Sequence, residues 1–216
     1  MAPPDIAARG RVGSGAWPGS IKALINPAIY VFGFAPAAWT FYAAINDQLG
    51  ADPLKVLERS LGLWALRFLI ASLAISPLRR FAGVNLIRHR RALGLMSFFY
   101  ALLHLTVYLW LDQGLDAGLI WKDIVKRPYI TIGMLAFLIL LPLAATSNAY
   151  SIRRLGAAWQ KLHRWVYLAA AAAALHFAMV VKSLTAEPII YAALVAGLLL
   201  VRLLPKTRAR KVRGAV

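Results

Sequence analysis

The chain has 216 residues, of which 61% are hydrophobic and 15% are charged, and its formal net charge is +17. Its apolar residues come in long blocks rather than in amphipathic periods, which excludes a soluble domain of this length. The absence of cysteine excludes disulfides, thiolate catalysis, iron–sulfur ligation and thioether-linked haem.

Six apolar blocks are each long enough to cross a bilayer as a helix, which needs roughly 20 residues and satisfies its own backbone in lipid. In chain order they are Ala23–Ile45, Leu57–Ile75, Ala92–Leu111, Tyr129–Ser147, Leu162–Val181 and Pro188–Leu204. The second block is the weakest because Arg67 interrupts it. The sequence therefore predicts an all-α, polytopic membrane helical bundle with six transmembrane helices in residues 23–204.

The flanking segments are rich in basic residues. Residues 1–22 are predicted to be a disordered cytoplasmic arm, and residues 205–216 a basic cytoplasmic tail. The arm could instead be the charged part of a cleaved signal, but the apolar block after it is long for a signal and lacks a convincing cleavage site. The longest outside segment, residues 112–128, is too short to fold as a catalytic domain.

Basic and acidic residues alternate between the segments that connect the six blocks. The tails and the second and fourth loops are basic, and the other loops hold seven of the eight acidic residues: Asp47, Asp52, Glu58, Asp112, Asp116, Asp123 and Glu187. Because Lys- and Arg-rich loops stay in the cytoplasm, both termini are predicted to be cytoplasmic. Nucleic-acid binding is excluded, because it needs a folded basic face with groove-reading elements and the sequence shows none.

Two of the four histidines lie deep in predicted helices. His104 is 12 residues into the third block and His176 is 14 residues into the fifth, so both lie roughly 18–21 Å from the inner surface. Two histidines at matched depth on two helices can hold one haem iron from both faces. The alternative is that each is a hydrogen-bonded packing residue, although ionisable residues inside membranes are usually functional.

His163 lies 13 residues before His176, roughly 20 Å nearer the inner surface, and suits a second haem. On a straight helix the two imidazoles would point roughly 140° apart, so we expect the haems on different flanks or a bent or overwound helix. Between them, Ala169–Ala174 permits the close approach of a macrocycle or of a neighbouring helix. Alternatively, His163 faces lipid headgroups.

Three arginines are candidates for binding the anionic groups of a cofactor. Arg67 is too deep to snorkel, so it needs an anion, for which a haem propionate or a flavin phosphate is predicted. A water-filled cavity or backbone carbonyls are the alternative. Arg90 and Arg91, at the inner end of the third block, could hold propionates or a phosphate. His89, beside them in "RHRR", is predicted to be a solvated loop residue and not a haem ligand. We expect the haem ligand opposite His163 to be water or a weak, unidentified group.

Four stretches carry a resemblance to a known family: "LGADPLKVLERSLGLWALRFLIASLAISPLRR", "LIRHRRALGL" with "LLHLTVY", "RPYITIGMLAFLILLPLAATS" and "LGAAWQKLHRWVYLAAAAAALHF". In order and spacing they resemble the MsrQ (formerly YedZ) family of the ferric-reductase-like transmembrane group. His104, His163 and His176 fall on the family's haem-linked histidines. The broader group has two histidines on each haem helix, whereas the third block here offers only His104.

The resemblance implies an electron-transfer subunit in the bacterial inner membrane rather than a catalytic subunit. It would hold one or two b-type haems, and FMN has also been associated with the family. Electrons would come from the quinone pool or a cytoplasmic flavin reductase. They would pass to a periplasmic molybdenum-containing methionine sulfoxide reductase that repairs oxidised envelope proteins.

Two other functional classes remain open. One is a stand-alone ferric or cupric metalloreductase, although such enzymes usually carry a fused flavin domain and we expect none after Leu204. The other is a non-redox scaffold or transporter whose histidines pack or relay protons.

Overall fold

The computed structural model describes residues 19–180 and 185–204, and these residues form helices and turns without a strand. Most of the predicted arm, the predicted tail and residues 181–184 lie outside the described residues. The helices are α1 (Gly19–Ile45), α2 (Pro53–Phe81), α3 (Arg90–Thr106), α4 (Ala117–Lys126), α5 (Pro128–Ala145), α6 (Ala149–Leu155), α7 (Ala157–His163), α8 (Val166–Val180) and α9 (Ala186–Leu203). The predicted all-α polytopic membrane fold is confirmed.

Five stretches of the described chain are long and apolar enough to cross a membrane: Ile25–Ile45, Pro53–Phe81, Ile87–Asp112, Pro128–Ala145 and Ala186–Leu203. They correspond to five of the six predicted blocks. The other block falls on the end of α7, on α8, which has 15 described residues, and on residue 181 outside the described part. Six crossings with cytoplasmic termini therefore stay a prediction.

α2 begins before its predicted apolar block. The side chain of Asp52 caps the helix by accepting a hydrogen bond from the backbone N–H of Lys55 at 3.3 Å, and Pro53 suits the first helical position. Glu58, which the sequence analysis counted among the loop acids, consequently lies within this helix. That assignment was wrong because composition alone does not reveal a cap five residues ahead of the apolar block.

The segment that carries His163 and His176 is two helices rather than one straight helix. Between α7 and α8, the backbone N–H groups of Arg164 and Trp165 donate to carbonyls three residues earlier, at 3.2 and 3.0 Å. Such i→i−3 bonds tighten the turn relative to an α-helix. Of the two arrangements considered, haems on different flanks or a bent or overwound helix, the break between α7 and α8 agrees with the second.

α1, α3, α8 and α9 all pack on α2. One buried cluster joins α2 with α5, α8 and α9, and the other joins α2 with α1 and α3. Ala169, Ala170 and Ala174 are buried in the first cluster against Leu69 and Leu73, so the alanine run brings neighbouring helices together. This agrees with the helix-packing interpretation of that run.

The two ends of the bundle differ in charge. Arg59 pairs with Glu187 at 2.7 Å where α2 and α9 begin, and Arg80 donates to the carbonyl of Leu204 at 3.1 Å where they end. We call the first end the acidic end; it carries Asp47, Asp52, Asp112, Asp116, Asp123 and Glu187. The opposite, basic end carries Arg79, Arg80, Arg88, Arg90, Arg91, Arg153 and Arg154.

Candidate functional site

A cavity of about 930 Å³ lies between α2, α3, α5 and α8. This volume falls within the range of about 300–1,000 Å³ that is usual for small-molecule sites. Apolar residues form most of its wall, including Leu63, Leu66, Leu69, Ala101, Leu105, Met134, Phe137, Leu140, Phe177 and Val180. Its polar lining residues near the acidic end are Lys55, Glu58, Arg59, Tyr108, Asp112, Arg127 and Tyr129. The cavity therefore combines an apolar body with one charged end.

His104 of α3 and His176 of α8 both line this cavity. Their ring centroids lie 6.2 Å apart, with 71° between the ring planes. A metal bound by one nitrogen of each ring needs about 2 Å on either side, and roughly 1.1 Å more separates each nitrogen from its centroid. These lengths sum to about 6.2 Å when metal and rings are in line. The spacing therefore fits a metal held between two imidazoles.

Hydrogen bonds fix the orientation of both rings. Nδ1 of His104 lies 2.9 Å from the carbonyl oxygen of Glu58, and Nδ1 of His176 lies 2.7 Å from that of Tyr129. Because a carbonyl oxygen only accepts, each Nδ1 carries the proton and donates. Each Nε2 then keeps its lone pair, as the neutral imidazole ligand of a metal requires.

Two glycines make room for these rings. A Cβ atom at Gly133 would lie 2.8 Å from Nδ1 of His176, and one at Gly62 would lie 3.2 Å from Nδ1 of His104. Either is closer than ordinary van der Waals contact. Gly62 and Gly133 thus allow each histidine to reach a backbone carbonyl of the neighbouring helix.

A π-helical segment, Val107–Asp112, continues α3 towards the acidic end, with the N–H of Gln113 donating to the carbonyl of Tyr108 at 2.9 Å. Tyr108 and Asp112 of this segment line the cavity. Turns of this kind occur frequently at functional sites. Here the segment turns two polar side chains towards the cavity just beyond His104.

His163 lies outside the lining of this cavity, at the end of α7. Its Nδ1 lies 3.1 Å from the carbonyl oxygen of Trp159, and its ring stacks on Trp159 with centroids 3.8 Å apart. Nε2 lies 3.4 Å from the hydroxyl of Ser147, whose proton is donated to the carbonyl of Leu143 at 2.6 Å. His163 therefore also has an Nε2 lone pair, but among the described residues its ring stacks on a tryptophan and not on a second histidine.

The three predicted arginines occupy different places. Arg67 is not part of the cavity lining; its Nε donates to the hydroxyl of Tyr191 at 2.8 Å, and its guanidinium lies 4.7 Å from the ring centroid of Trp64. Arg90 begins α3 at the basic end, where it lies close enough to His163 to repel a positive charge on the imidazole. Arg91 is exposed.

The prediction of a solvated His89 is wrong. His89 is 3% exposed, its Nδ1 lies 2.6 Å from Oδ1 of Asn26, and its Nε2 accepts from Nε of Arg88 at 2.9 Å. No pattern in the sequence indicates that α1 covers this part of the basic loop. Both nitrogens of His89 have partners within the protein.

Sequence reasoning missed several residues of the site. Gly62 and Gly133 could have been noticed as glycines inside apolar helices, which often mark a close approach. Arg202, in the last turn of α9, donates to the hydroxyl of Tyr167 at 2.7 Å and to the carbonyl of Leu73 at 2.9 Å. Its Nε is buried without a hydrogen-bond partner among the described residues, and the like charge of Arg90 lies close enough to repel the guanidinium. Arg202 falls inside the predicted block Pro188–Leu204, but nothing in the sequence showed that it binds α2 and α8.

Comparison with known proteins agrees with this architecture. Residues 61–174 match the family described as "Ferric reductase like transmembrane component". Relatives from Brucella ovis, Brucella canis and Brucella suis are each 58% identical over 184 residues, which is 85% of this chain and 84% of theirs. Each bears the name "Protein-methionine-sulfoxide reductase heme-binding subunit MsrQ". No solved structure matches the chain.

Proposed function

Because the chain belongs to the MsrQ family, within the ferric-reductase-like transmembrane group, we propose that it is a b-type cytochrome of the bacterial inner membrane. It carries electrons across the membrane to a periplasmic, molybdenum-containing methionine sulfoxide reductase. The acceptor repairs oxidised envelope proteins, and this chain is its electron-transfer subunit. FMN is a second proposed cofactor, and the quinone pool or a cytoplasmic flavin reductase is the donor.

The observation that carries this proposal is the pair formed by His104 and His176. The two rings are 6.2 Å apart in an apolar cavity, and each has its Nδ1 proton donated to a backbone carbonyl. Ligation of one haem by two imidazoles requires two Nε2 lone pairs that share a cavity, and here the cavity has a volume of about 930 Å³. A non-redox role in packing or proton relay has no such requirement.

The residues around the pair suit the parts of a haem. His104 and His176 would be the axial ligands, and the apolar wall would exclude water from the ring and influence its potential. Lys55, Arg59 and Arg127 are the cations that line the acidic end of the cavity; each is paired with an acidic residue, Asp52, Glu187 and Asp123 respectively, so a haem carboxylate would share or displace that partner. When bound, haem supplies a one-electron couple. The protein supplies the ligands, their orientation and a low-polarity surrounding.

A second haem is proposed at the basic end, with His163 as its ligand and water or a weak group opposite. Arg90 and Arg91 begin α3 at this end and are the proposed partners of propionates or of a flavin phosphate. Haems at the two ends of the bundle would divide the membrane into two shorter electron-transfer steps. With the basic end in the cytoplasm, electrons would leave from the acidic end towards the periplasmic partner.

The acidic end suits such a partner. Its exposed carboxylates could orient an incoming protein electrostatically, mainly by raising the rate of encounter. The amphipathic helix α4 also lies at this end and leaves Leu119, Trp121 and Val125 exposed for lipid or for the partner.

The first experiment is a reduced-minus-oxidised visible spectrum of the protein purified in detergent. We expect the α-band of a low-spin b-type haem, and its absence would exclude both redox interpretations. The reduced protein is then mixed with the molybdenum-containing partner and methionine sulfoxide, and in parallel with ferric citrate. Reoxidation that needs the partner and the sulfoxide supports the proposed function, whereas fast reoxidation by ferric citrate alone supports a metalloreductase.

A further inference from the structure

Arg67 lies at the middle of a membrane helix and outside the cavity that holds the histidine pair. It is 14 residues from Pro53 and 14 from Phe81, the two ends of α2, so roughly 21 Å of helix lies on either side. The hydrocarbon core of a bilayer is about 30 Å thick, which places the guanidinium close to its centre. A charged group at this depth marks a functional site more often than a structural one.

The surroundings of Arg67 satisfy only part of its hydrogen-bonding capacity. Its Nε donates to Tyr191 of α9 at 2.8 Å, and Trp64, one turn away on α2, lies flat against the guanidinium at 4.7 Å. The described contacts include no carboxylate partner for it. Since all three side chains are only partly buried, the remaining N–H groups can meet a molecule that arrives from the lipid phase.

The neighbouring helices leave this face of α2 accessible. At the acidic end, Ser60 contacts Thr40 of α1 at 3.3 Å while the adjacent Arg59 contacts Glu187 of α9. α1 and α9 therefore flank α2 on two sides; α1 packs on α2 and α3, whereas α9 packs on α8 and α2. Ala71 and Ala74, about one and two turns after Arg67 on the same face of α2, are small and partly exposed.

We propose that Trp64, Arg67 and Tyr191 form a lateral, lipid-accessible site for the head group of a quinol. The oxygens of a quinol ring can accept from the guanidinium and from the Tyr191 hydroxyl, and the partly buried indole of Trp64, which also contacts Phe68 and Tyr100, forms an apolar side of the site. A lipid-soluble ring with two oxygen acceptors matches these groups, whereas a propionate or a phosphate would have to enter from an aqueous side. The inference rests on the proposed function, because the electrons need a haem to receive them.

The position of the site suits electron transfer to the histidine pair. Leu63 and Leu66, the chain neighbours of Trp64 and Arg67, line the cavity on the other side of α2. The two sites are therefore separated by about one helix width, 10–12 Å with side chains. The quinol is oxidised to the quinone and loses two electrons, one at a time, to ferric haem. Its two protons are released to water at the acidic end, the end of α9 that lies nearer to Tyr191.

The test measures haem reduction in the purified holoprotein, reconstituted into liposomes without oxygen, with decylubiquinol as the donor. Arg67→Gln should raise the concentration of decylubiquinol needed for half-maximal rate by about tenfold or more, since a hydrogen bond from a charged group is lost. Tyr191→Phe should have a smaller effect in the same direction. Haem content and full reduction by dithionite should be unchanged in both variants.

Arg80→Gln is the matched control, because Arg80 also lies on α2 and also binds α9, through the carbonyls of Val201 and Leu204. If Arg80→Gln slows reduction by decylubiquinol as much as Arg67→Gln, the effect comes from loosening α9 and the site is rejected. An unchanged rate in Arg67→Gln, or a loss of haem from it, rejects the site too.

The outcome also separates this site from the proposed function. A wild-type protein whose haem is reduced by dithionite but not by decylubiquinol would overturn the quinol site and leave the cytochrome standing. A protein that binds no haem would overturn both.

Discussion

The two histidine regions of the bundle differ in how completely the protein prepares them. In the acidic half, His104 and His176 face each other in a cavity, with two glycines and two backbone carbonyls fixing the rings. In the basic half, His163 has the same proton arrangement but stacks on Trp159. The first region is organised before a ligand arrives. The second region has one nitrogen that could bind a metal but no second side chain facing it among the described residues. A haem bound there would therefore take its other axial ligand from water or from another group.

The largest expected effect comes from removing one member of the organised pair. His176→Ala should lose the low-spin haem, because mutation of outer-shell partners alone typically costs about 10–100-fold in metal affinity and a ligand is worth more. The measurement is the haem-to-protein ratio together with the low-spin signals in electron paramagnetic resonance.

His163→Ala serves as the comparison for this variant, since it removes an imidazole from the less organised region. We expect it to keep the low-spin signal. If His176→Ala retains that signal, or if both variants lose it equally, the two regions are not distinct in the way that the geometry indicates.

A second prediction tests whether the space beside the ring matters. Gly133→Ala places a methyl group 2.8 Å from Nδ1 of His176, so the ring must shift from its carbonyl partner. We expect haem affinity to fall by about 10–100-fold, as it does when such outer-shell bonds are broken. Gly62→Ala, with its contact at 3.2 Å, should have a smaller effect.

Gly197→Ala is the control for these glycine variants. A Cβ atom there meets nothing within 4 Å, so haem affinity should stay at the wild-type value. Equal affinities in Gly133→Ala and Gly197→Ala would show that the ring can move without loss, and the claim of an organised site would fail.

A third prediction concerns His89, which has two nitrogen partners and no access to the cavity lining. His89→Ala leaves Oδ1 of Asn26 and Nε of Arg88 without their partner, and such a loss typically costs about 1–3 kcal/mol of stability. We expect a lower temperature of thermal unfolding in detergent with an unchanged haem-to-protein ratio. Loss of one low-spin haem from this variant would instead make His89 the missing ligand of the basic half.

The sequence was sufficient to place His104 and His176 at the same depth because helix rise converts residue counts directly into distance. It also indicated that the helix carrying His163 and His176 either presents the two imidazoles on different flanks or departs from a straight helix, and the structure has two helices, α7 and α8, there. It misassigned His89 and Glu58, whose surroundings depend on the packing of α1 and on a helix cap. Contacts between distant segments, such as Arg67 with Tyr191 or Gly133 with His176, leave no periodic signal in the chain.

The smallest expected effect tests the basic half. Ser147 is the hydroxyl nearest Nε2 of His163, but the distance is 3.4 Å and its proton is donated to Leu143. Hydrogen bonds of this type usually span about 2.7–3.2 Å, so this contact contributes little to holding the ring. The measurement is the amplitude of whichever spectral component is lost in His163→Ala. In Ser147→Ala this amplitude should change by less than about threefold, which is well short of the tenfold that corresponds to about 1.4 kcal/mol. An effect as large as that of His163→Ala would mean that Ser147 positions the imidazole, and that the basic half is more organised than its contacts indicate.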